Sequence, residues 1–165
     1  MTPEQGKALC KIFTDTCRHE AETTKKVIRA VPDDKKSYKP DPRSMSAHEL
    51  AWHIATAEIM FCDFILSGQP PAGRPPEAPA TIGAILDWYE TNQHDRIEKV
   101  NEMPGDKLAE NLVFFAGMAF PAVMYLDMMN RHSVHHRGQL SSYLRPMGSK
   151  VPAIYGGSAD EPMQM

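Results

Sequence analysis

The sequence predicts an all-α protein, an antiparallel four-helix bundle. Four long segments place apolar residues at spacings of three and four, which is the period of an amphipathic helix. Stretches rich in proline and glycine separate these segments, and no run of alternating strands is convincing. The 165 residues suit one domain with an ordinary core. We therefore expect a single domain over residues 1–165, with an irregular C-terminal tail at about residues 146–165.

The first two helices are bounded by recognisable start and stop signals. The first is predicted from about Pro3 to Ala30, where a proline-containing loop interrupts it. Ser46 and Glu49 have the form of a capping box, which predicts that the second helix starts there. Gly68 is a natural C-terminal stop for this helix.

The second half of the chain contains the other two predicted helices. A proline-rich connection at about residues 68–80 leads to a third helix, expected over about residues 81–101. Residues 112–115 are apolar and form either a short strand or a packed loop. Pro121 suits the first turn of the fourth helix, which we expect to extend to about Leu144.

The charge balance and the absence of a long apolar run exclude some classes of protein. The 18 Lys and Arg residues against 21 Asp and Glu give a net charge of −3, and no basic cluster exceeds a pair, which argues against binding to nucleic acid. The longest uncharged stretch, residues 111–126, is shorter than the roughly 20 residues of a spanning helix. The first residues do not resemble a secretory signal. We expect a cytoplasmic protein that does not bind membranes.

The histidines are clustered in a way that suggests chemistry. Three of the 7 histidines lie within residues 132–136, where chance predicts roughly 0.2 per five-residue window. His132 and His136 are four residues apart, so both rings share one helical face and can converge on a metal. His53 is the best third ligand, because it lies mid-helix on the apolar stripe. Three neutral imidazoles leave a position open for catalysis.

The spacing alone leaves several alternatives open. His135 could replace either neighbour as a ligand, because residues three apart also converge. The alternative to a metal site is that the cluster forms a solvated polar face and that His53 is a core histidine bonded to a backbone carbonyl. Gln139 and Tyr143 extend the same stripe and are candidate pocket residues, Gln139 as a side chain that orients a ligand. Their structural alternatives are a helix-surface amide and a core tyrosine.

Several segments resemble the DinB/YfiT-like superfamily, and the resemblance spans most of the chain. The two histidine motifs, in this order and roughly 80 residues apart, make it fairly specific. The segments that carry the resemblance are residues 50–54 (LAWHI), 132–140 (HSVHHRGQL), 143–145 (YLR) with Gly148 after it, and 151–156 (VPAIYG).

The resemblance implies a four-helix bundle of DinB type, commonly a homodimer, with a divalent metal, often nickel or zinc, bound by three histidines. On this sequence those positions are His53, His132 and His136. Similar proteins include thiol-dependent S-transferases and isomerases that use bacillithiol or mycothiol, and metal-dependent hydrolases. The mycothiol-dependent isomerases have a glutamate at the ligand position that His132 resembles, which argues against that branch.

Together these observations predict a metal-dependent enzyme of the thiol-dependent S-transferase or hydrolase type. It would activate a thiolate or water at the three-histidine site and act on a small molecule, with a low-molecular-weight thiol as a candidate partner. The alternative is a metal-binding, stress-related dimeric module without turnover. A third hypothesis is a metal-free helical interaction protein, in which some of the 11 methionines would line an adaptable surface.

Overall fold

The computed structural model describes residues 1–163 and is mostly helical. Its helices and strands in chain order are α1 (Pro3–Arg29), α2 (Ala47–Ser67), α3 (Ile82–Glu102), α4 (Gly105–Ala109), β1 (Asn111–Val113), β2 (Ala119–Pro121) and α5 (Met124–Leu144). Single turns of 3-10 helix lie at Asp33–Lys35 and Phe115–Gly117. The four long helices fall close to the four predicted segments. The short α4 and the two strands were not predicted as such.

Capping explains where the first two helices begin. The Thr2 hydroxyl accepts a hydrogen bond from the Gln5 N–H, and the Gln5 side chain accepts one from the Thr2 N–H. Ser46 and Glu49 form the same reciprocal pair at the start of α2. This helix ends at Gly68, whose φ of 68° lies in the left-handed region that favours glycine. The predicted capping box and stop signal of α2 are therefore confirmed.

The region between α3 and α5 differs most from the prediction. β1 pairs with β2 in an antiparallel hairpin in which Asn111 lies opposite Pro121. Ala116 and Gly117 reverse the chain between the strands with φ values of 56° and 75°. Pro121 is the last residue of β2, and α5 begins only at Met124. The expectation that Pro121 lies in the first turn of the last helix is wrong, because strand pairing holds this residue in the hairpin.

The long helices pack around two groups of buried apolar side chains. α2 packs on α3 and α5, and α1 packs on α3, α4 and α5. Ile54 and Leu140 belong to one group, and Cys62, Ile97 and Leu126 belong to the other. Burying an aliphatic side chain of this size contributes roughly 1.5–3 kcal/mol. This packing fixes α2 against α5, and the candidate site lies between these two helices.

The proline-rich connection between α2 and α3 is held in place by side chains from outside it. Residues 68–80 contain neither helix nor strand in the part of the chain that the structure describes. Three side chains donate hydrogen bonds to backbone carbonyls near its end: Trp52 to Pro76, His48 to Pro79, and Lys36 to Ala80. The later part of the connection is therefore anchored to α2 and to the segment that precedes α2.

The chain after α5 is irregular but attached to the helices. Ser149 Oγ donates to the Ala30 carbonyl over 2.6 Å, and Arg145 pairs with Asp160 at 2.7 Å. No α-helix or strand is present from residue 145 to residue 163. The last two residues of the predicted tail lie outside the described residues.

Within residues 1–163, one helix, α2, is long and apolar enough to cross a membrane by length and composition. Its most apolar window is 72% buried inside the protein, and core helices pass the same test. The apolar character of α2 is therefore explained by its packing against α3 and α5.

Candidate metal centre

Three histidine rings from two helices meet between α2 and α5. His53 lies on α2, whereas His132 and His136 lie one turn apart on α5. The Nε2 atom of His53 is 3.2 Å from that of His132 and 3.3 Å from that of His136. One nitrogen from each of the three rings lies within 4.8 Å of the other two, and all three side chains are half-buried. This group could hold a metal ion.

The nitrogen spacing fits a shared cation better than it fits hydrogen bonding. Two nitrogens bound to one zinc at about 2.05 Å, at the tetrahedral angle, lie about 3.3 Å apart. A neutral ring nitrogen offers either one N–H or one lone pair, so hydrogen bonding can explain only one of the two short contacts of His53. A set of imidazole nitrogens also suits zinc, nickel and similar divalent ions. The residues present therefore fit a divalent metal.

Burial keeps all three rings neutral. Together with smaller contributions from His136, His53 and His135, it lowers the pKa of His132 to about 4. Burial also lowers the pKa of His53, with a smaller contribution from His136, and it is the main cause of the lowered pKa of His136. Neutral imidazole is the form that binds metals. The three rings are therefore in the binding-competent form at neutral pH.

Gln139 orients the ring of His136. The Nδ1 atom of His136 lies 3.1 Å from Gln139 Oε1, and Gln139 Nε2 donates to Tyr143 Oη over 3.1 Å. Because Oε1 can only accept, His136 carries its proton on Nδ1, and the lone pair of Nε2 points to the other histidines. The ring of Tyr143 packs edge-on against Tyr38, with centroids 5.8 Å apart. The structure thus places Gln139 and Tyr143 in one chain of hydrogen bonds behind His136.

The remaining histidines lie outside this group. His135 is exposed, although its ring centroid is 4.8 Å from that of His136. His19 and His94 are exposed, and His48 donates to the Pro79 carbonyl. Among the described residues, the buried Nδ1 atom of His132 has no hydrogen-bond partner. Of the two α5 histidines in the group, only His136 has a protein partner that fixes its ring orientation.

A buried carboxylate on α2, five residues after His53, was not predicted. Glu58 on α2 accepts hydrogen bonds from Tyr89 Oη over 2.7 Å and from Ser133 Oγ. Burial raises the pKa of Glu58, while both hydroxyls oppose that shift. The sequence signal was a charged residue on the apolar face of α2. Its partners come from α3 and α5, so Glu58 connects three helices.

A buried ion pair lies one turn further along α5. The Arg137 side chain is 1% exposed and pairs with Glu20 of α1 at 2.5 Å. It also donates to Thr24 Oγ1 over 3.3 Å and to Tyr155 Oη in the C-terminal tail. The Tyr155 hydroxyl in turn donates to Glu20 over 2.8 Å. These contacts fix α5 against α1 on the side away from the histidine face.

A cavity of 680 Å³ opens beside the histidines, with His53 and His132 in its wall. Its other walls come from α2, from α3, from the proline-rich connection and from the hairpin loop. This volume is typical of a small-molecule pocket. The site therefore has space for a substrate next to two of its three imidazoles.

Fold and site together define a class: a mostly helical protein with a three-histidine group that could hold a metal between two long helices. The chain belongs to the DinB family, whose sequence profile matches residues 10–164. The match includes all three histidines of the candidate centre.

Individual relatives agree with this assignment. The Bacillus subtilis protein YrdA is 26% identical over 150 residues, which cover 90% of this chain and 89% of YrdA. The crystal structure of a DinB-like protein from Bacillus cereus matches with a TM-score of 0.74 and 26% identity, over 87% of this chain and 95% of that protein. The mycothiol-dependent maleylpyruvate isomerase shares the fold, with a TM-score of 0.55 and 15% identity, over 85% of this chain and 61% of the isomerase.

Proposed function

We propose that this protein is a metal-dependent enzyme that binds a divalent metal, nickel or zinc, through His53, His132 and His136. The observation that carries the proposal is the meeting of three Nε2 atoms, two of them 3.2 and 3.3 Å from the third. Each of the three residues contributes an imidazole, and the group contains no carboxylate or thiolate. Three protein ligands leave a coordination position open, which is typical of catalytic rather than structural sites.

A divalent metal held in this way supplies Lewis acidity and favours the deprotonated form of a water or thiol. The chain's own residues orient the imidazoles and line the space for a substrate. Gln139 fixes the ring of His136 through its Nδ1–H, and Tyr143 holds the amide of Gln139. His53 and His132 face the 680 Å³ cavity, so a substrate in the cavity lies against the imidazoles.

We propose thiol-dependent S-transfer as the reaction, with hydrolysis as the second candidate. The shared fold with an isomerase that uses mycothiol supports a low-molecular-weight thiol as the partner. The chain's own cysteines are unsuited to attack a substrate, because all three are buried. Burial raises the pKa of Cys17 to about 12 and raises the pKa of Cys62 well above its ordinary value. An external thiol is therefore the nucleophile in this proposal.

We further propose that the four long helices form an antiparallel bundle in a single domain over residues 1–165. α1 and α2 each pack on both α3 and α5, as expected for such a bundle. A cytoplasmic homodimer is the expected form, and equilibrium sedimentation that gives a monomer would refute the dimer. Nucleic acid is not an expected partner, since the net charge is −3.

The second candidate function is a metal-binding module without turnover, and one observation favours it. The histidine group joins α2 to α5, so bound metal would stabilise their packing. Chelation separates the two functions. A large fall in Tm on adding EDTA supports the structural role, whereas a small fall together with thiol-transfer activity supports the enzyme.

The first experiment is metal analysis of protein purified without a His-tag. We expect about one equivalent of nickel or zinc per chain in the wild type and loss of metal in the His53→Ala and His132→Ala variants. His135→Ala is the matched control, because this exposed histidine lies on the same helix outside the group. A wild type that stays metal-free after reconstitution would overturn the proposal. Retention of metal in both His53→Ala and His132→Ala would overturn the ligand assignment.

A further inference from the structure

The cavity beside the histidines has a lining that suggests what it binds. Most of the side chains around it are apolar, and four of them are aromatic: Phe61, Trp88, Phe114 and Phe115. Such a surface gains little from small polar molecules and favours a flat or branched apolar group.

The cavity is lined by more positive than negative side chains. Its ionisable side chains other than the two histidines are Asp63, Arg74 and Arg96. Arg96 Nε donates to Asp63 Oδ1 over 3.1 Å, so these two charges compensate each other. Within the part of the chain that the structure describes, Arg74 makes neither a hydrogen bond nor an ion pair. One positive charge at the cavity therefore has no protein partner.

The backbone around Arg74 is restrained, although the side chain is exposed. Arg74 lies between Pro71 and the pair Pro75-Pro76, and these rings restrict the backbone of the segment. The Pro76 carbonyl accepts the hydrogen bond from Trp52 Nε1 at 2.9 Å, and the Trp52 ring packs on Trp88, with centroids 4.6 Å apart. The Trp52 hydrogen bond thus fixes the end of the segment that carries the unpaired guanidinium.

We propose that the cavity binds a small organic molecule with an apolar or aromatic body and one anionic group, and that Arg74 recognises the anionic group. This inference rests on the proposed function, because the bound molecule would be the substrate that lies against His53 and His132. The body lies against the aromatic wall, and the planar guanidinium of Arg74 pairs with a carboxylate or sulfonate through parallel N–H groups.

Two fluorescent probes that differ by one charged group test the inference. Anilinonaphthalene sulfonate has an aromatic body with a sulfonate, whereas N-phenylnaphthylamine has the same body without it. We expect Arg74→Gln to weaken binding of the sulfonate about fivefold, which corresponds to an ion pair of about 1 kcal/mol, and to leave the neutral probe unchanged. The matched control is Arg43→Gln, because Arg43 is an exposed arginine of another loop that pairs with Asp41 and does not line the cavity.

A second variant locates the probes. Ala72 is an exposed residue of the cavity wall, so Ala72→Trp fills the cavity without disturbing the core, and we expect it to weaken both probes. Unchanged binding of both probes in Ala72→Trp would overturn the assignment to this cavity. Equal effects of Arg74→Gln on the two probes, or an equal effect of Arg43→Gln on the sulfonate, would overturn the role of Arg74.

The probes need no turnover, so this test is separable from the test of the proposed function. The titrations are repeated with His136→Ala, whose ring lies outside the cavity wall. A preference for the sulfonate that persists in this variant and depends on Arg74 supports the anion site without the metal. A wild type that stays metal-free after reconstitution but shows the same preference overturns the proposed function alone.

Discussion

Replacing Gln139 tests whether the hydrogen bond behind His136 contributes to metal binding at the candidate centre. Gln139→Leu keeps the approximate size of the side chain but removes the acceptor for the His136 Nδ1–H, now at 3.1 Å, and the donor to Tyr143. Without this acceptor the His136 ring can rotate or carry its proton on Nε2, where a metal would bind. We therefore expect weaker metal binding although no ligand has been changed.

The structure sets the size of the effect. Removing the hydrogen-bond partner of a metal-binding histidine typically costs about 10–100-fold in metal affinity, or about 1.4–2.7 kcal/mol. Gln139 is only half-buried, so water can partly replace its oxygen. We expect the lower end of the range, about tenfold. Tyr143→Phe removes only the more distant hydrogen bond and should change the affinity by less than about threefold.

The assay is competition for zinc against a chromogenic chelator at neutral pH, with circular dichroism as a check on folding. Gln139→Glu keeps an acceptor oxygen at the same distance along the side chain and should restore the wild-type affinity. The reasoning is refuted if Gln139→Leu binds zinc as tightly as the wild type. It is also refuted if Gln139→Glu binds as weakly as Gln139→Leu.

Three other predictions concern stability. Arg137→Ala leaves Glu20, 13% exposed, without its charged partner and should lower the free energy of unfolding by about 3–5 kcal/mol in urea titrations, whereas Arg145→Ala, which breaks an exposed pair, should cost less than about 1 kcal/mol; equal losses would contradict the argument. Gly138→Ala should raise the free energy of unfolding by about 0.5–1 kcal/mol, because a Cβ there meets nothing within 4 Å and alanine favours the helix; a lower free energy would refute this. The pKa of Glu49 is lowered to about 2 by hydrogen bonds from Ser46, so the unfolded state binds more protons between pH 4.5 and about 2. The carboxylate therefore stabilises the fold above pH 4.5, and this contribution disappears as the pH falls to about 2. Glu49→Gln should lose less stability than the wild type over that window in thermal melts, and superimposable pH profiles would contradict the assignment.

The sequence predicted the long helices because their evidence is local. Apolar residues repeat with the helical period over many turns, and Ser46, Glu49 and Gly68 mark the two ends of α2 within a few residues of chain. The hairpin was harder to predict, because strands of three residues are too short to show a period. Helix α4 was missed because Pro104-Gly105 is a typical stop signal, and here it only separates two helices.

The histidine positions were suggested by spacing, but the choice within the cluster depends on how α5 is rotated. His135 is exposed and His136 is half-buried, and only the packing of the whole helix distinguishes them. Sequence reasoning could not find Glu58 with Ser133, or Arg137 with Glu20, because these pairs are 75 and 117 residues apart along the chain. Ser133 and Arg137 directly follow His132 and His136, and this offset was the sequence signal that could have indicated them.

Because of this offset, one face of α5 packs against the other helices and the adjacent face carries the histidines. Ser133 and Arg137 face the interior and lock the helix at one rotation, while His132 and His136 project one step around the axis. The direction of the two imidazoles is thus set partly by buried side chains that lie outside the histidine group. His132 and His136 are half-buried, whereas Ser133 and Arg137 are buried, so a substitution at either histidine should disturb the packing of α5 less. Replacing Ser133 or Arg137 alone would remove a hydrogen bond to Glu58 or the ion pair of Glu20, so the inner face of α5 tolerates less change than the histidine face.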